Sequence, residues 1–242
     1  LMYLGELGQL AQRVPLRLRE AEEHGDLYAG LDPVCRPGIT FLAADDPDAA
    51  RRAVRQVMDR WSLQGFHFQH YLEMFAENQT DLYMGNWASA WRRSDERWPL
   101  MKSSFLLRIP FVKLEALHLV GRTALAAAAA SGDVTLVERA ERNAREIEKG
   151  KTAWAQPFAL ALRAGVASLR GAHDQAADLL SLASRAFEKW DLFLYAKAAD
   201  YRRGILTGSA GGAAITTSAE EWLDAKGVKN GPRVLDVLVP GF

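Results

Sequence analysis

Two histidines one helical turn apart have the spacing that comes nearest to a metal site. His67 and His70 are followed on the same helical face by Glu73 and Glu77, and histidines with nearby carboxylates can share a zinc ion. Aromatic residues interleave with them, however, and this pattern is more typical of histidines packed at a helix interface. We therefore expect this chain to hold no metal and no other cofactor.

A second segment, Gly150-Lys151-Thr152, imitates the end of a phosphate-binding loop. Such a loop needs another glycine five residues before the first, and it follows a β-strand. This chain has Arg145 at that position, and the residues before Gly150 have the charged pattern of a helix. We interpret Gly150 as the end of one helix and Thr152 as the start of the next, and we predict no nucleotide site.

Cys35 is the only cysteine, so neither a disulfide nor a cysteine-based zinc site can form within the chain. A lone cysteine can act as a nucleophile, but no residue stands out as its base, and a small buried hydrophobic role is the simpler interpretation. No serine lies in a nucleophile elbow, and no acidic pair has the setting of an acid and a base. We predict a chain without catalytic residues, located in a reducing cytoplasm.

A stripe of three tryptophans is the clearest candidate for a binding surface. Trp87, Trp91 and Trp98 are four and seven residues apart, which places them on one side of a helix. Core packing is the default interpretation of such a stripe. The alternative is a groove in which the tryptophans and Arg92 or Arg93 anchor a peptide or a small ligand, because aromatic residues and arginines dominate many binding sites. If the chain has a site, we expect it here.

The composition argues against nucleic acid and membranes as partners. The 242 residues include 30 basic and 30 acidic side chains, so no net field attracts nucleic acid or anionic lipid. No uncharged apolar run reaches the roughly 18 residues that span a bilayer, and no signal peptide opens the sequence. Because Leu1 is not an initiator and the first residues already have a helical pattern, we expect the chain to be part of a longer polypeptide.

Helical periodicity dominates the sequence, and almost no segment alternates with a period of two. Asp46-Pro47 opens the clearest helix, as a capping residue followed by proline at the first helical position. Glycine followed by a polar or small residue recurs between helices, and such tight turns force neighbouring helices to lie antiparallel. We predict five antiparallel pairs, at 3–24/26–43, 46–63/66–84, 86–101/104–131, 133–149/152–170 and 173–189/191–207.

The turns between these helices recur at irregular intervals. Gly85, Gly132 and Gly171 are 47 and 39 residues apart, longer than the roughly 34 residues of a standard tetratricopeptide repeat. Small residues such as Ala176 lie where two helices of a repeat would cross closely. We therefore predict an all-α fold in which degenerate tetratricopeptide-like pairs, over residues 1–207, stack in a right-handed superhelix.

Beyond the last predicted pair the composition changes. Residues 208–217 are small, which predicts a flexible linker. Ser218 and Glu221 have the spacing of a capping box for a short helix, and Pro232 begins another. We predict that residues 208–242 form a linker and short helices that cap the last repeat, because the end of a solenoid otherwise exposes apolar surface.

Short segments spread over nearly the whole chain carry a resemblance to one family. In order along the chain they include Tyr3-Leu4-Gly5-Glu6-Leu7, Gly25-Asp26-Leu27-Tyr28, Leu42-Ala43-Ala44-Asp45-Asp46-Pro47, Gly65-Phe66-His67, Glu115-Ala116-Leu117-His118, Trp222-Leu223, Pro232-Arg233 and Pro240-Gly241-Phe242. In their order and coverage they resemble the C-terminal region of large bacterial serine/threonine protein kinases. In that family a kinase domain is followed by a P-loop ATPase module and a long tetratricopeptide-like array.

The resemblance implies a non-catalytic sensor or scaffold arm that relays binding to kinase or ATPase domains elsewhere in the polypeptide. No kinase catalytic motif occurs in the sequence, so no catalytic residue is carried over. Our leading hypothesis is a protein-interaction and regulatory module of a multidomain kinase, whose partner is another protein or a neighbouring domain. The alternative is a superhelix that senses a small ligand within a signalling ATPase or a transcription regulator.

Overall fold

A computed structural model describes residues 1–36, 38–62 and 64–242, and every regular element within these ranges is helical. The all-α prediction is therefore confirmed for this part of the chain. Two short 3₁₀ turns, at Leu106–Arg108 and Ala153–Ala155, precede α7 and α9. The α-helices are α1 (Leu7–His24), α2 (Leu27–Cys35), α3 (Ile39–Ala43), α4 (Pro47–Met58), α5 (Phe68–Met84), α6 (Trp87–Ser103), α7 (Pro110–Ser131), α8 (Val134–Lys149), α9 (Gln156–Leu169), α10 (His173–Glu188), α11 (Phe193–Thr207), α12 (Ala210–Asp224) and α13 (Gly231–Leu238).

Most helix ends follow the local signals in the sequence. The side chain of Asp46 accepts a hydrogen bond from the backbone N–H of Ala49 at 2.8 Å, and Pro47 occupies the first turn, so α4 begins as predicted. Gly85 and Gly132 follow α5 and α7 with φ of 76° and 72°, a left-handed conformation that glycine adopts without a Cβ penalty. These tight turns reverse the chain, as the sequence predicts.

Two predicted boundaries are wrong because of proline, and a third helix is shorter than predicted. The predicted helix 26–43 is divided into α2 and α3; Pro37, whose own placement is outside the described residues, has no N–H with which to continue a helix. The predicted helix 104–131 begins only at Pro110, since proline is accommodated in the first turn and not in the interior. The predicted helix 46–63 ends at Met58, and its last predicted residue, Leu63, lies outside the described residues.

The predicted linker is a helix. The hydroxyl oxygen of Ser209 accepts a hydrogen bond from the N–H of Gly212 at 3.2 Å and caps α12, which then continues to Asp224. Ser218 therefore lies inside α12 and caps nothing. The small residues of this segment serve close packing: a Cβ built on Gly204 of α11 would lie 2.6 Å from the carbonyl oxygen of Gly212. Glycine at both positions lets the two backbones approach.

The helices form an inner and an outer set. Helices α5, α7, α9 and α11 are buried on nearly all sides, whereas α4, α6, α8, α10 and α12 each bury one face, and each helix packs against its neighbours in the chain. Ala176, Leu180 and Ala183 of α10 are fully buried, and α10 packs closely against α9. The predicted close crossing at this place is confirmed.

The two ends of the helical array meet. The N–H of Leu194 in α11 donates to the carbonyl of Tyr3 at 3.0 Å, and the N–H of Lys229 donates to the carbonyl of Ala43 at 2.8 Å. In an open solenoid each repeat touches only its neighbours. Here the accessible surface is 11228 Å² for 26.8 kDa, close to the about 10,800 Å² expected for a compact monomer of that mass.

Helix α13 joins the end of the array to its beginning. It packs against α11 and α12, and also against α3 and α5 from the first half of the chain. Buried Arg122 of α7 donates to the carbonyl of Val237 at 2.7 Å, and buried Arg202 of α11 donates to the carbonyl of Val239 at 2.8 Å. These donors satisfy carbonyls at the helix end that have no partner within the helix.

Replacing Gly204 by alanine is expected to lower the free energy of unfolding by about 1–3 kcal/mol, because the added Cβ overpacks the contact between α11 and α12. Urea unfolding followed by circular dichroism measures the change. The matched control is Gly30→Ala in α2, whose added Cβ would lie 3.7 Å from the Cβ of Ala21 and should raise stability by roughly 0.5–1 kcal/mol. Equal effects of the two substitutions would contradict the close crossing.

Candidate functional site

The tryptophans of α6 lie on one side of the helix, and two of them contribute to the core. Trp91 and Trp98 are half-buried and pack against the larger hydrophobic core, while Trp87 is exposed. The guanidinium carbon of Arg139 in α8 lies 5.2 Å from the centre of the Trp98 ring, so this ring also packs between neighbouring helices. Core packing therefore describes Trp91 and Trp98.

The structure does not bring Arg92 and Arg93 together with the tryptophan stripe. Residues one and two positions beyond Trp91 lie about 100° and 200° further around the helix. Arg92 is exposed, and Arg93 donates to Asn78 at 2.8 Å and to Asp81 at 2.7 Å on α5. Arg93 is therefore bound to α5, and a groove that combines the tryptophans with Arg92 or Arg93 stays a prediction.

Of the five predicted residues, Trp87 lines a cavity of about 410 Å³ between the ends of α5 and α7 and the C-terminal segment. Tyr83 and Phe242 add aromatic walls, and Arg233 and Asp236 add charge. The guanidinium carbon of Arg233 lies 5.8 Å from the centre of the Tyr83 ring. The volume falls within the range of small-molecule sites.

His70 is buried, as the prediction of packing at a helix interface requires, whereas His67 is exposed. Nδ1 of His70 accepts the backbone N–H of His67 at 3.0 Å, and Nε2 of His70 lies 3.0 Å from the carbonyl oxygen of Ser62. Glu73 pairs with Arg97 at 2.6 Å, so neither His70 nor Glu73 is open to a metal. Within the described residues, no group of three histidine, cysteine or acidic side chains is arranged to hold a metal ion.

The next carboxylates of α5 are clamped by arginines from both flanking helices. Asp81 is buried and pairs with Arg51 of α4 and with Arg93 of α6. Glu77 lies 3.8 Å from the same two arginines, and burial raises its pKa above the usual value. Because arginines compensate both charges inside the protein, this network fixes α4 and α6 against α5.

The Gly150-Lys151-Thr152 segment and Cys35 also have structural roles. Gly150 directly follows α8 and Thr152 precedes a 3₁₀ turn, so the interpretation of Gly150-Lys151-Thr152 as a helix end is confirmed. Cys35 is fully buried, and burial with nearby acidic residues raises the pKa of its thiol to about 12. A thiol with such a pKa is almost entirely protonated at neutral pH, and the predicted burial of Cys35 is confirmed.

A buried polar cluster around Glu115 of α7 is the feature that sequence patterns missed. Only 7% of Glu115 is exposed. Its carboxylate accepts hydrogen bonds from the hydroxyls of Tyr71 at 2.9 Å and Tyr3 at 3.3 Å and from Nη1 of Arg36 at 2.6 and 2.8 Å. Burial and the carboxylate raise the pKa of both tyrosines, so they remain protonated donors. In the sequence, the one sign of this cluster is a glutamate within an otherwise apolar helix.

The same face of α7 continues inward with His118 and Arg122. The ring of His118 lies edge-on to Phe158 of α9 and Tyr195 of α11, with centres 4.8 and 5.5 Å away. Its Nε2 and the Nε and Nη2 of Arg122 have no hydrogen-bond partner among the described residues. Burial, assisted by the charge of Arg122, lowers the pKa of His118 well below its usual value. The interior therefore holds a neutral imidazole beside a guanidinium.

Comparison with protein-family profiles, with curated proteins and with solved structures finds no match to this chain. The kinase resemblance therefore stays a prediction. Among the described helices, none combines the length and the apolar character that crossing a bilayer requires.

Replacing His118 by phenylalanine is expected to flatten the pH dependence of stability below neutrality. The folded chain keeps this imidazole neutral, whereas the unfolded chain takes up a proton as the pH falls through about 6.5. The contribution of neutral His118 to the free energy of unfolding is therefore fully present above pH 6.5. Below that pH the free energy of unfolding falls by up to about 1.4 kcal/mol per pH unit. The measurement is the free energy of unfolding of the wild type and of the variant between pH 7.5 and 5.

The control for this comparison is His173→Gln, which changes an exposed histidine at the start of α10. It should follow the wild-type pH profile. Equal slopes for the wild type and His118→Phe would contradict the buried, neutral state of His118.

Proposed function

We propose that this chain is a non-catalytic interaction and regulatory module. Its tetratricopeptide-like helix pairs follow a right-handed course, and their outer surface presents a docking site to a protein partner. The supporting observation is an exposed apolar surface at the connection between α6 and α7, which we term the 100–109 patch. Leu100, Phe105 and Ile109 lie within ten residues of the chain and are 49%, 64% and 48% exposed, and apolar side chains exposed in one region are typical of interaction sites.

The charge around the 100–109 patch indicates the chemistry of the partner. Lys102 and Arg108 lie within it, and residues 99–114 contain no aspartate or glutamate. An acidic amphipathic segment matches this surface, because its apolar side would cover the patch and its carboxylates would face the cations. The overall charge of the protein is balanced, so the attraction for an acidic partner would come from this local excess of cations.

The backbone at Phe105 supports a role in binding. Phe105 has φ of 64°, a left-handed conformation that costs a residue with a side chain about 1–2 kcal/mol. The guanidinium carbon of Arg108 lies 4.4 Å from the centre of the Phe105 ring. The Phe105 ring gains little burial from this strained conformation, so the strain does not stabilise the fold. A strained residue that exposes an aromatic side chain instead supports a role in recognition.

The place of the module in a larger polypeptide rests on the family resemblance. The matched segments run from Tyr3 to Phe242 in order, which supports a C-terminal regulatory arm of a cytoplasmic, bacterial, multidomain serine/threonine protein kinase. In that setting the partner is a second protein or a neighbouring domain of the same chain. Since the ends of the array meet, we propose that the partner docks on the outside and not in an open concave groove.

Replacing Phe105 by glycine should separate binding from stability. We expect a synthetic amphipathic helix of leucine and glutamate to bind the wild type saturably and to bind Phe105→Gly at least tenfold more weakly. The melting temperature should stay equal or rise, because glycine relieves the left-handed conformation. Fluorescence anisotropy of the labelled peptide measures affinity, and calorimetry measures melting.

The matched control is Leu182→Ala, which removes a similarly exposed leucine from α10 and should leave affinity unchanged. A leucine–lysine peptide of the same length should bind more weakly than the leucine–glutamate peptide. Equal affinity of the wild type and Phe105→Gly would overturn the patch as the docking site. Binding to anionic lipid vesicles in preference to the acidic peptide would replace the protein partner with a membrane surface.

A second candidate function is small-ligand sensing, and the cavity beside Trp87 is the observation that favours it. A bound ligand would contact helices α5 and α7 and the C-terminal segment together. Binding would therefore stabilise the packing of the C-terminal segment against these two helices. In a thermal-shift screen of cell metabolites, a ligand for this cavity should stabilise the wild type according to its concentration. It should fail to stabilise Trp87→Ala, whereas Trp190→Ala, which removes another exposed tryptophan, should respond like the wild type.

A further inference from the structure

A second cavity lies at the opposite end of α7 from the cavity beside Trp87. It has a volume of about 410 Å³, opens to solvent, and is lined by the N-terminal segment, α1, α2 and the first turn of α7. We term it the arginine cleft, because Arg13, Arg17 and Arg36 line it. Phe111 in the cleft and Ala130 beside the first cavity are nineteen residues apart on α7, or about 28 Å, so the two cavities are separate.

The arginine cleft has an excess of positive charge. Asp32 is the one acidic residue among its lining residues. Among the described residues Arg13 forms no ion pair, and Arg17 pairs only with Glu20 in an exposed i,i+3 contact. Such an exposed contact contributes little and is easily exchanged for a bound anion. The excess comes from Arg13 and Arg17, since Asp32 and Glu115 compensate the charge of Arg36.

Arg36 is held in place before any ligand arrives. Its Nη1 binds both carboxylate oxygens of buried Glu115, and its Nε donates to Asp32 at 2.8 Å. Its guanidinium carbon lies 5.1 Å from the centre of the Phe111 ring. The Nη2 makes no hydrogen bond to a described residue. A fixed guanidinium loses little conformational entropy when it binds an anion, which favours affinity.

The remaining lining of the arginine cleft is mainly apolar. Val14 is buried, Leu10 is half-buried, and Met2 and Pro33 complete the walls beside Phe111. A free inorganic anion would use only the arginines and leave these walls in water. A ligand with an apolar chain would bury them, and the volume falls in the lower part of the range for small-molecule sites.

From this combination we propose that the arginine cleft binds a small amphipathic anion, which places a carboxylate or phosphate head at the arginines and one unbranched apolar chain along Leu10, Val14 and Phe111. Guanidinium groups bind both kinds of head through paired hydrogen bonds. The site is independent of the 100–109 patch and goes beyond the proposed docking function. The ligand would bridge α1, α2 and α7, and it would reach the Glu115 cluster through Arg36.

The test is isothermal titration calorimetry of the full chain with decanoate and with decyl phosphate, each below its aggregation concentration. We expect saturable one-to-one binding of at least one of them, and the tighter of the two identifies the head group. Decanol, which has the chain without the charge, should bind at least tenfold more weakly. Added salt should weaken the binding of the anions, because the head group interacts with exposed arginines.

Paired variants locate the binding. Arg13→Gln combined with Arg17→Gln should weaken binding of the anion at least tenfold, and Leu10→Glu should weaken it by a similar factor. We expect these variants to fold, because Arg13 and Arg17 are exposed and Leu10 is only partly buried. Arg19→Gln removes an exposed arginine of α1 that does not line the cleft and should alter affinity less than twofold.

Three results would overturn the proposal. They are the absence of saturable binding by both anions, equal affinity of the wild type and the Arg13/Arg17 double variant, and equal affinity for decanol. Phe105→Gly should bind the anion like the wild type, so failure of the 100–109 patch and failure of the arginine cleft are distinguishable.

Discussion

The carboxylate of Glu115 is the interaction on which the arrangement of the first half of the chain depends. It sits inside the protein on α7 and accepts hydrogen bonds from the N-terminal segment, from the end of α2 and from α5. A buried charge without its partners costs several kcal/mol. The three elements that supply Tyr3, Arg36 and Tyr71 must therefore be in place together, which couples the start of the chain to its central helix.

This coupling continues around the array. Tyr3 meets Glu115 through its hydroxyl, and its carbonyl accepts the N–H of Leu194 in α11. About two turns further along α7, Arg122 donates a hydrogen bond to the carbonyl of Val237 in α13. The inner side of the helix pairs is thus occupied by the protein's own terminal segments, and its free surfaces are the outer helices, the turns and the two cavities. We propose function at those surfaces for that reason.

Sequence patterns predicted the parts of the structure that depend on neighbouring residues. Helix starts such as Asp46-Pro47 and turns such as Gly85 are local, and they are correct. The partners of Glu115 are 112, 79 and 44 residues away in the chain, and no spacing rule connects them. The segment after Gly208 was misinterpreted because small residues suit both a flexible linker and a close helix crossing, and only the approach of Gly204 to Gly212 decides between them. The stripe of Trp87, Trp91 and Trp98 was correct as a stripe, but the neighbouring arginines belong to another face.

The central claim is that the helical array is closed, with its first and last elements in contact, so that partners bind on the outside. Small-angle X-ray scattering of the purified chain tests this most directly, because shape at this level does not depend on any one side chain. The account predicts a monomer with a radius of gyration of about 18 Å, the value for a compact protein of this length. A clearly larger radius, with the long tail of distances that an open superhelix produces, would contradict it.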